Sequence, residues 1–542
     1  MKLKHSYGAM AVLCVGLLCL APSLRGQNAP APRHVGVPQD WSEHNVVFSL
    51  DGLAKYPNLM DQEPRIRHQV MKRFRALNPE FFRSAEGMGA EANNAGPQRD
   101  WNVSFVRGRV AANMYPAKFS FDPGAPPDCA NDYVVFGLNV VGAKGKQANL
   151  VAFNNLYSGP GGICGSAPTV LFAYDVSTQT GGKINLSPVI SLDGTKIAFV
   201  ESATGQSIFH VLTWTAGEGG ITSAAVPGNM TSVTFSPAAT STTSSPWVDY
   251  NNDVAYMAAD GGLMYKINGV FNSTPTLVGN PWPVAVSAGH RLSPPTLDSQ
   301  LGYLMVGSAN GNLYQVDSTT GALAVTVVGA AGKTSPGIIA PPVVDVTNGT
   351  TFVVDANDGT SAVLVEVDTA TLTVLAKARI GIGAASKTAL TLGQPAFTND
   401  YYNDPSTGRI RLCGTGGADT TPWQYAFGFT GRTMHTTAAF SQQLLSSTAA
   451  VCSNWTELYN PNIAGGTDFF FFGLTQDCTG AATSGCVVAA TAEGLPITTA
   501  DVPGGPSGIV IDNYSLAGQA SSLYLSAETG STAYKFTQNG LQ

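Results

Sequence analysis

Few side chains in this sequence stand at spacings that do chemistry. Of seven histidines, six (His34, His44, His68, His210, His290 and His435) lie beyond an apolar N-terminal stretch. They are far apart, so a base-assisted nucleophile or a histidine metal site needs folding to bring several together. The chain has no Gly-x-Ser-x-Gly, no His-Glu-x-x-His and no phosphate-binding glycine loop. Asp355-Ala356-Asn357-Asp358-Gly359 offers oxygen ligands of the calcium-binding kind, but the terminal Glu of a full twelve-residue loop is missing. The segment falls between two strand-like runs, where Asn-Asp-Gly reads as a hairpin turn.

The cysteines point to a framework instead. Cys14 and Cys19 belong to the apolar stretch, leaving Cys129, Cys164, Cys413, Cys452, Cys478 and Cys486. An even number in an exported chain favours disulfides. Cys478 and Cys486 flank a Gly/Ser/Thr loop and can clamp a hairpin. Of the fifteen connectivities six cysteines allow, Cys129–Cys164 and Cys413–Cys452 are assigned to the rest. No pair has Cys-x-x-Cys spacing, so no metal is expected.

Export is read from the first residues. Lys2, Lys4 and His5 precede the apolar run Ala9–Leu20, with Ala21 and Ser23 placed for cleavage. This is a secretory signal, assigned to residues 1–26, and it is too short to span a bilayer. Leu18 before Cys19 is not the small residue that a lipid anchor needs. No later run reaches 18 apolar residues, so no transmembrane segment is expected. The expected location is the periplasm or the cell exterior.

Charged residues are 12% of the chain, about half the usual share. The net charge of −7 argues against nucleic acid as the main partner, which needs a basic surface. Residues 27–110 hold 20 charged residues in 84 and one evident helix. Asp61 is read as its cap, Pro64 suits its first turn, and Ile66, Val70, Phe74 and Leu77 share one face. Arg65, Arg67, Lys72, Arg73 and Arg75 occupy the other faces, and Asn78-Pro79 ends it. A basic amphipathic helix can dock on an anionic membrane or an acidic partner; here it is assigned to its own acidic body, in which 15 Lys+Arg face 27 Asp+Glu.

The remainder reads as repeating strands. Each unit opens with Pro before a short apolar strand that often ends in Asp, and three more strand-like runs follow across Asn, Asp and Gly turns. The clearest copies begin at Ser293 (SPPTLDSQLGYLMVGSANGNLYQVDSTTGALAVTVVG) and Ala340. Further openings stand at Pro116, Pro188, Pro246, Pro395, Pro461 and Pro506, spaced 45 to 72 residues apart. Four strands per unit at a period near the lower end of that range define a β-propeller blade. The expected fold is all-β: an eight-bladed β-propeller, with seven blades as the alternative, and a short helical N-terminal extension (residues 27–100). The last copy has room for three strands only, and Trp101–Val106 is expected to supply the fourth and close the ring.

GYLMVGSANGNLYQVDSTTGAL resembles a pyrroloquinoline-quinone-type propeller repeat, and SPVISLDGTKIAFVES resembles the repeats of TolB-type periplasmic propellers. YPAKFSFDPGAPPDCANDYVVF is similar to a group of secreted bacterial propellers of unassigned function. The resemblance implies the fold across residues 110–540, matched closely in two or three blades. Quinone dehydrogenases of this kind commonly carry an adjacent cysteine pair, which this chain lacks, and Trp41, Trp101, Trp214, Trp247, Trp282, Trp423 and Trp455 do not follow the regular docking spacing. No cofactor is therefore expected.

Propellers commonly bind ligands where loops enter the innermost strands. That rule selects Tyr115, Asn185, Ser187, Ser245, His290, Arg291, Gln394, Tyr459 and Asn460. His290-Arg291 is the one strongly polar pair among them that can become doubly cationic, and it suits an anionic or sugar ligand. Three readings follow: a secreted non-enzymatic module that binds a polysaccharide or protein; a structural subunit of an extracellular assembly, self-assembling through an N-terminal arm; or a propeller enzyme (lyase, hydrolase or quinone oxidoreductase). The first is preferred, on fold analogy.

Overall fold

The computed structural model describes residues 36–77, 97–121, 127–236, 242–330, 337–382, 393–416, 418–444, 450–461, 466–476, 478, 484–491, 496–512 and 519–537. The signal assigned to residues 1–26 lies outside them. The chain forms an eight-bladed β-propeller. Blades I to VIII start from the innermost strands Ala117–Ser120, Val189–Ile190, Trp247–Asp249, Thr296–Asp298, Val343–Asp345, Ala396–Phe397, Thr456–Asn460 and Val510–Asp512. Within each blade the strands pair antiparallel from the axis outward. The upper face is the one from which the innermost strands start; the first two strands of each blade turn on the lower face.

The repeat has plain physical causes. Second strands such as Tyr133–Gly137 and Val254–Ala258 are buried along their whole length, because each blade is covered on both sides by its neighbours. The Asp that ends an innermost strand caps the next turn: Asp298 accepts from the amides of Gln300 and Leu301, Asp345 from those of Thr347 and Asn348, and Asp249 from those of Asn251 and Asn252. Gly307 closes a second strand where a Cβ would stand 2.2 Å from Cγ2 of Ile338, on the chain entering the next blade, so no side chain fits. One opening is displaced from its expected place. Blade VII begins at Thr456, and Pro461 follows its innermost strand instead of preceding it.

Gln98–Ser104 pairs antiparallel with Thr532–Thr537 as the outermost strand of blade VIII. The two ends of the ring are thus hydrogen-bonded to each other. Trp101 is buried between Phe153 of blade I and Tyr524 of blade VIII, and its Nε1 donates to Leu156 O at 2.9 Å. Lys535 Nζ reaches Asp100 Oδ2 at 2.6 Å. A second buried lysine, Lys118, pairs with Asp512 at 2.5 Å across the same seam.

The N-terminal segment is built into the ring. Val37–Gln39 pairs antiparallel with the innermost strand of blade I, and Val46–Val47 pairs parallel with that of blade V. Blades I and V stand opposite each other in a ring of eight, so residues 37–47 cross the axial channel. Three helices follow on the lower face: α1 (Leu50–Lys55), α2 (Leu59–Gln62) and α3 (Pro64–Leu77). A fourth, α4 (Asn399–Asn403), links the first strands of blade VI. Asp61 lies inside α2 and does not cap α3; Glu63 precedes α3, and its carboxylate accepts from the Arg65 amide at 3.2 Å. Ile66 and Val70 are buried, and so is Arg65, whose guanidinium lies 4.1 Å from the Trp247 ring centre and donates to Val248 O. Arg73 pairs with Glu457 of blade VII at 2.9 Å. The expected docking on the acidic body is therefore observed for α3, and the described part of the proposed assembly arm is committed within its own chain. The three disulfides join Cys129–Cys164, Cys413–Cys452 and Cys478–Cys486.

Trp101→Ala removes a buried aromatic and orphans Leu156 O at the seam. It should destabilise the fold by about 3–5 kcal/mol, seen as a lower urea midpoint. An unchanged midpoint would mean that the closing strand contributes little.

Candidate functional site

Hydrogen bonds around the channel mouth link each blade to the next. Gly508 N donates to Met114 O at 3.1 Å (VIII to I), Tyr115 N to Ser187 Oγ at 2.9 Å (I to II), and Ser187 N to Ser245 Oγ at 3.1 Å (II to III). Thr243 Oγ1 donates to Leu292 O at 3.3 Å (III to IV) and Thr296 Oγ1 to Pro342 O at 2.7 Å (IV to V). Gln394 N donates to Asn454 Oδ1 at 2.7 Å (VI to VII), and Thr456 Oγ1 to Ile509 O at 3.1 Å (VII to VIII). The step from V to VI runs through the segment in the channel. Asn45 Nδ2 donates to Pro342 O at 3.2 Å, and Asn45 Oδ1 accepts from Gln394 Nε2 at 2.8 Å.

This girdle explains where most sequence-selected residues sit. Tyr115, Ser187, Ser245 and Gln394 are buried within it, and Gln394 also donates to His44 O. The Tyr115 ring stacks on His44 at 6.0 Å. Asn185 is half-buried and accepts from Ser202 Oγ at 2.8 Å. Tyr459 and Asn460 belong to the innermost strand of blade VII, displaced from the upper mouth because Pro461 follows that strand. Tyr459 lines a cleft of about 710 Å³, part of it open to solvent, between the channel segment, α3 and blades VI to VIII. His290 and Arg291 are half-buried in the loop into blade IV, and among the described residues neither side chain makes a hydrogen bond or ion pair. Beside them Ser287 Oγ accepts from Ser308 Oγ, Asn310 Nδ2 and Tyr314 OH.

The upper face of blade I carries more cations. Arg107, Arg109, Lys144 and Lys146 are exposed there and hold no side-chain partner among the described residues. Their loops are fixed by backbone contacts: Arg107 N donates to Gln147 Oε1, and Asn139 N to Arg109 O. Sequence reading missed this cluster, since its members come from two loops with no motif between them.

Buried acids and bases fill the interior. His44 and His68 are pushed down to about 3, by burial first and then by neighbouring cations. Asp298 is raised to about 7 by burial, with the Asp345 carboxylate adding to the rise against the two turn amides. Burial likewise raises Glu366 to about 7. Asp468 is raised by burial and by the adjacent Glu457 carboxylate, where Arg73 also binds. The calcium-like segment is a turn: Asp355 Oδ1 accepts from Asn357 N, and Asp358 Oδ1 from Thr360 N. Blade II holds a constellation no motif announced: Ser232 Oγ lies 2.9 Å from His210 Nδ1, and His210 Nε2 lies 2.9 Å from Glu201 Oε2.

The fold and its upper face define a β-propeller repeat protein. No family model and no curated protein matches the chain. Solved propellers do match it. A Dos1 propeller is 10% identical, covering 82% of this chain and 96% of that one, with a TM-score of 0.51. Sqt1 of Saccharomyces cerevisiae is 9% identical, over 81% and 98%, with a TM-score of 0.51. BamB from Moraxella catarrhalis is 13% identical, over 81% and 99%, with a TM-score of 0.42. At such identities the likeness to the Dos1 and Sqt1 propellers shows the fold alone.

Two outcomes test this interior. Asn45→Ala removes two buried hydrogen bonds, leaving Gln394 Nε2 with His44 O alone and Pro342 O with Thr296 alone; it should cost about 1–3 kcal/mol, read as a lower urea midpoint. For Asp298, the folded state keeps a proton that the unfolded chain loses near pH 4. Stability is therefore lost as pH rises from 4 to 7, on the order of 3 to 4 kcal/mol. Asp298→Asn should match the parent near pH 4 and melt increasingly above it toward pH 7; a pH-independent difference would remove Asp298 as the cause.

Proposed function

We propose that this chain is an exported binding or scaffold propeller that recognises a polysaccharide or protein partner through its upper-face loops. The carrying observation is the pair His290-Arg291, whose donors hold no partner among the described residues while the selected residues of the girdle are consumed in joining blades. Uncommitted side-chain donors of a histidine and an arginine match carboxylates, sulfates and sugar hydroxyls. Arg107, Arg109, Lys144 and Lys146 extend that donor surface over blade I. Three disulfides support a periplasmic or extracellular location, consistent with residues 1–26 as a removed leader and residues 27–100 as an extension of which residues 37–47 cross the channel.

The test is a binding panel of neutral and acidic polysaccharides and purified envelope proteins against the oxidised protein. His290→Ala/Arg291→Ala should weaken the strongest interaction about tenfold, the equivalent of one charge-assisted contact, at an unchanged melting temperature. No binding across the panel, or binding indifferent to both this pair and the blade I cations, would overturn the reading.

A further inference from the structure

The rim of blade II brings a serine, a histidine and a glutamate into hydrogen-bond contact, apart from the upper-face loops. Ser232 lies on the outermost strand, Met230–Ser236, with its side chain exposed. It stands directly opposite His210 in the strand pair, and Ser232 Oγ is 2.9 Å from His210 Nδ1. His210 is fully buried, its ring stacked on Phe199 at 5.2 Å. Its Nε2 meets Glu201 Oε2 at 2.9 Å, and Glu201 is buried as well.

Glu201 fixes the tautomer. Burial raises its pKa, but hydrogen bonds from His210 and from the amide and hydroxyl of Thr178 outweigh that and hold it below the ordinary range. An ionised carboxylate only accepts, so Nε2 carries a proton, and in the neutral imidazole Nδ1 is then bare. In that neutral form the hydroxyl of Ser232 donates to Nδ1, which is the hydrogen-bond direction of an activated serine.

We propose that Ser232 is a reactive serine that takes the acyl group of small, activated esters, with His210 as its general base and Glu201 as the positioning residue. Ser232 Oγ attacks the acyl carbon as its proton passes to His210 Nδ1. The tetrahedral intermediate collapses, the bond to the leaving alcohol breaks, and His210 returns the proton to that alcohol, leaving acyl-Ser232. Water attack with the same proton relay frees the acid. The strand is the outermost of its sheet. Alternate amides of an outer edge point away from the ladder, and they are the donors available to the oxyanion. The exposed position admits small esters without a closed pocket. This reading does not depend on the upper-face partner.

The oxidised protein is treated with a fluorophosphonate, whose phosphorus takes the place of the acyl carbon and whose fluoride leaves, and separately with p-nitrophenyl acetate. The expected result is one phosphonyl group per chain, mapped by peptide mass spectrometry to Ser232 and absent in Ser232→Ala. His210→Asn should slow modification by about 10²-fold or more, the usual contribution of a general base. Because His210 is buried and its variant can fail to fold, Glu201→Gln provides a second readout: slower modification and an altered pH profile at a native circular dichroism spectrum. Adducts spread over many serines, no adduct at Ser232, or equal rates in folded Glu201→Gln would overturn the assignment and leave the three residues as a packing contact of blade II.

Discussion

One side-chain amide completes the ring. Seven of the eight steps around the channel mouth are bridged by groups that flank the innermost strands, and the eighth is made by Asn45, bonded to Pro342 and Gln394. An eight-bladed ring leaves an axis that its own innermost side chains do not fill. Residues 37–47 fill it by adding a strand to blade I, turning through Trp41–Asn45 and adding a strand to blade V. The registers of both added strands therefore bear on the placing of Asn45. Arg65, held by Glu63 and Ser42 over Trp247, ties the helices of the lower face to the same segment.

The seam between blades VIII and I shows how a low-charge protein uses the charge it has. Lys118 and Lys535 are fully buried, each beside a carboxylate from another part of the ring. Removing one partner of such a pair leaves an uncompensated buried charge, which costs more than the intact pair contributes. These contacts thus specify which strand may close the ring more than they add to its stability. The surface cations follow the opposite rule: those of blade I and Arg291 stand without acidic partners among the described residues.

Much of the fold was legible because its causes are local. Asp at the end of an innermost strand, Gly at the end of a second strand and the run of apolar residues between them are each demanded by a turn, a close approach or a doubly covered strand. Hence Pro246-Trp247-Val248-Asp249 and its cognates could be counted as blades. Pro461 misled because a proline also suits the turn after a strand, so composition alone does not fix its side. The site was less legible. Ser187 and Gln394 look like ligand groups in sequence, and only tertiary contacts reveal that the neighbouring blade and Asn45 occupy them. Glu201, His210 and Ser232 come from three different strands, and their alignment depends on strand register, which no local spacing encodes.

The closing strand also sets the order of events in the life of the chain. Asp100 meets Lys535 across a separation of 435 residues. Blade VIII cannot be finished until the last strand has been made and the early strand has waited for it. Contacts of such long range are slow to form. A chain delivered N-terminus first would keep residues 98–104 unpaired throughout synthesis and transport. The same geometry then works in the opposite direction: once closed, the ring offers no free end from which to peel, and its lifetime is governed by the barrier to opening the seam rather than by the stability of any one blade.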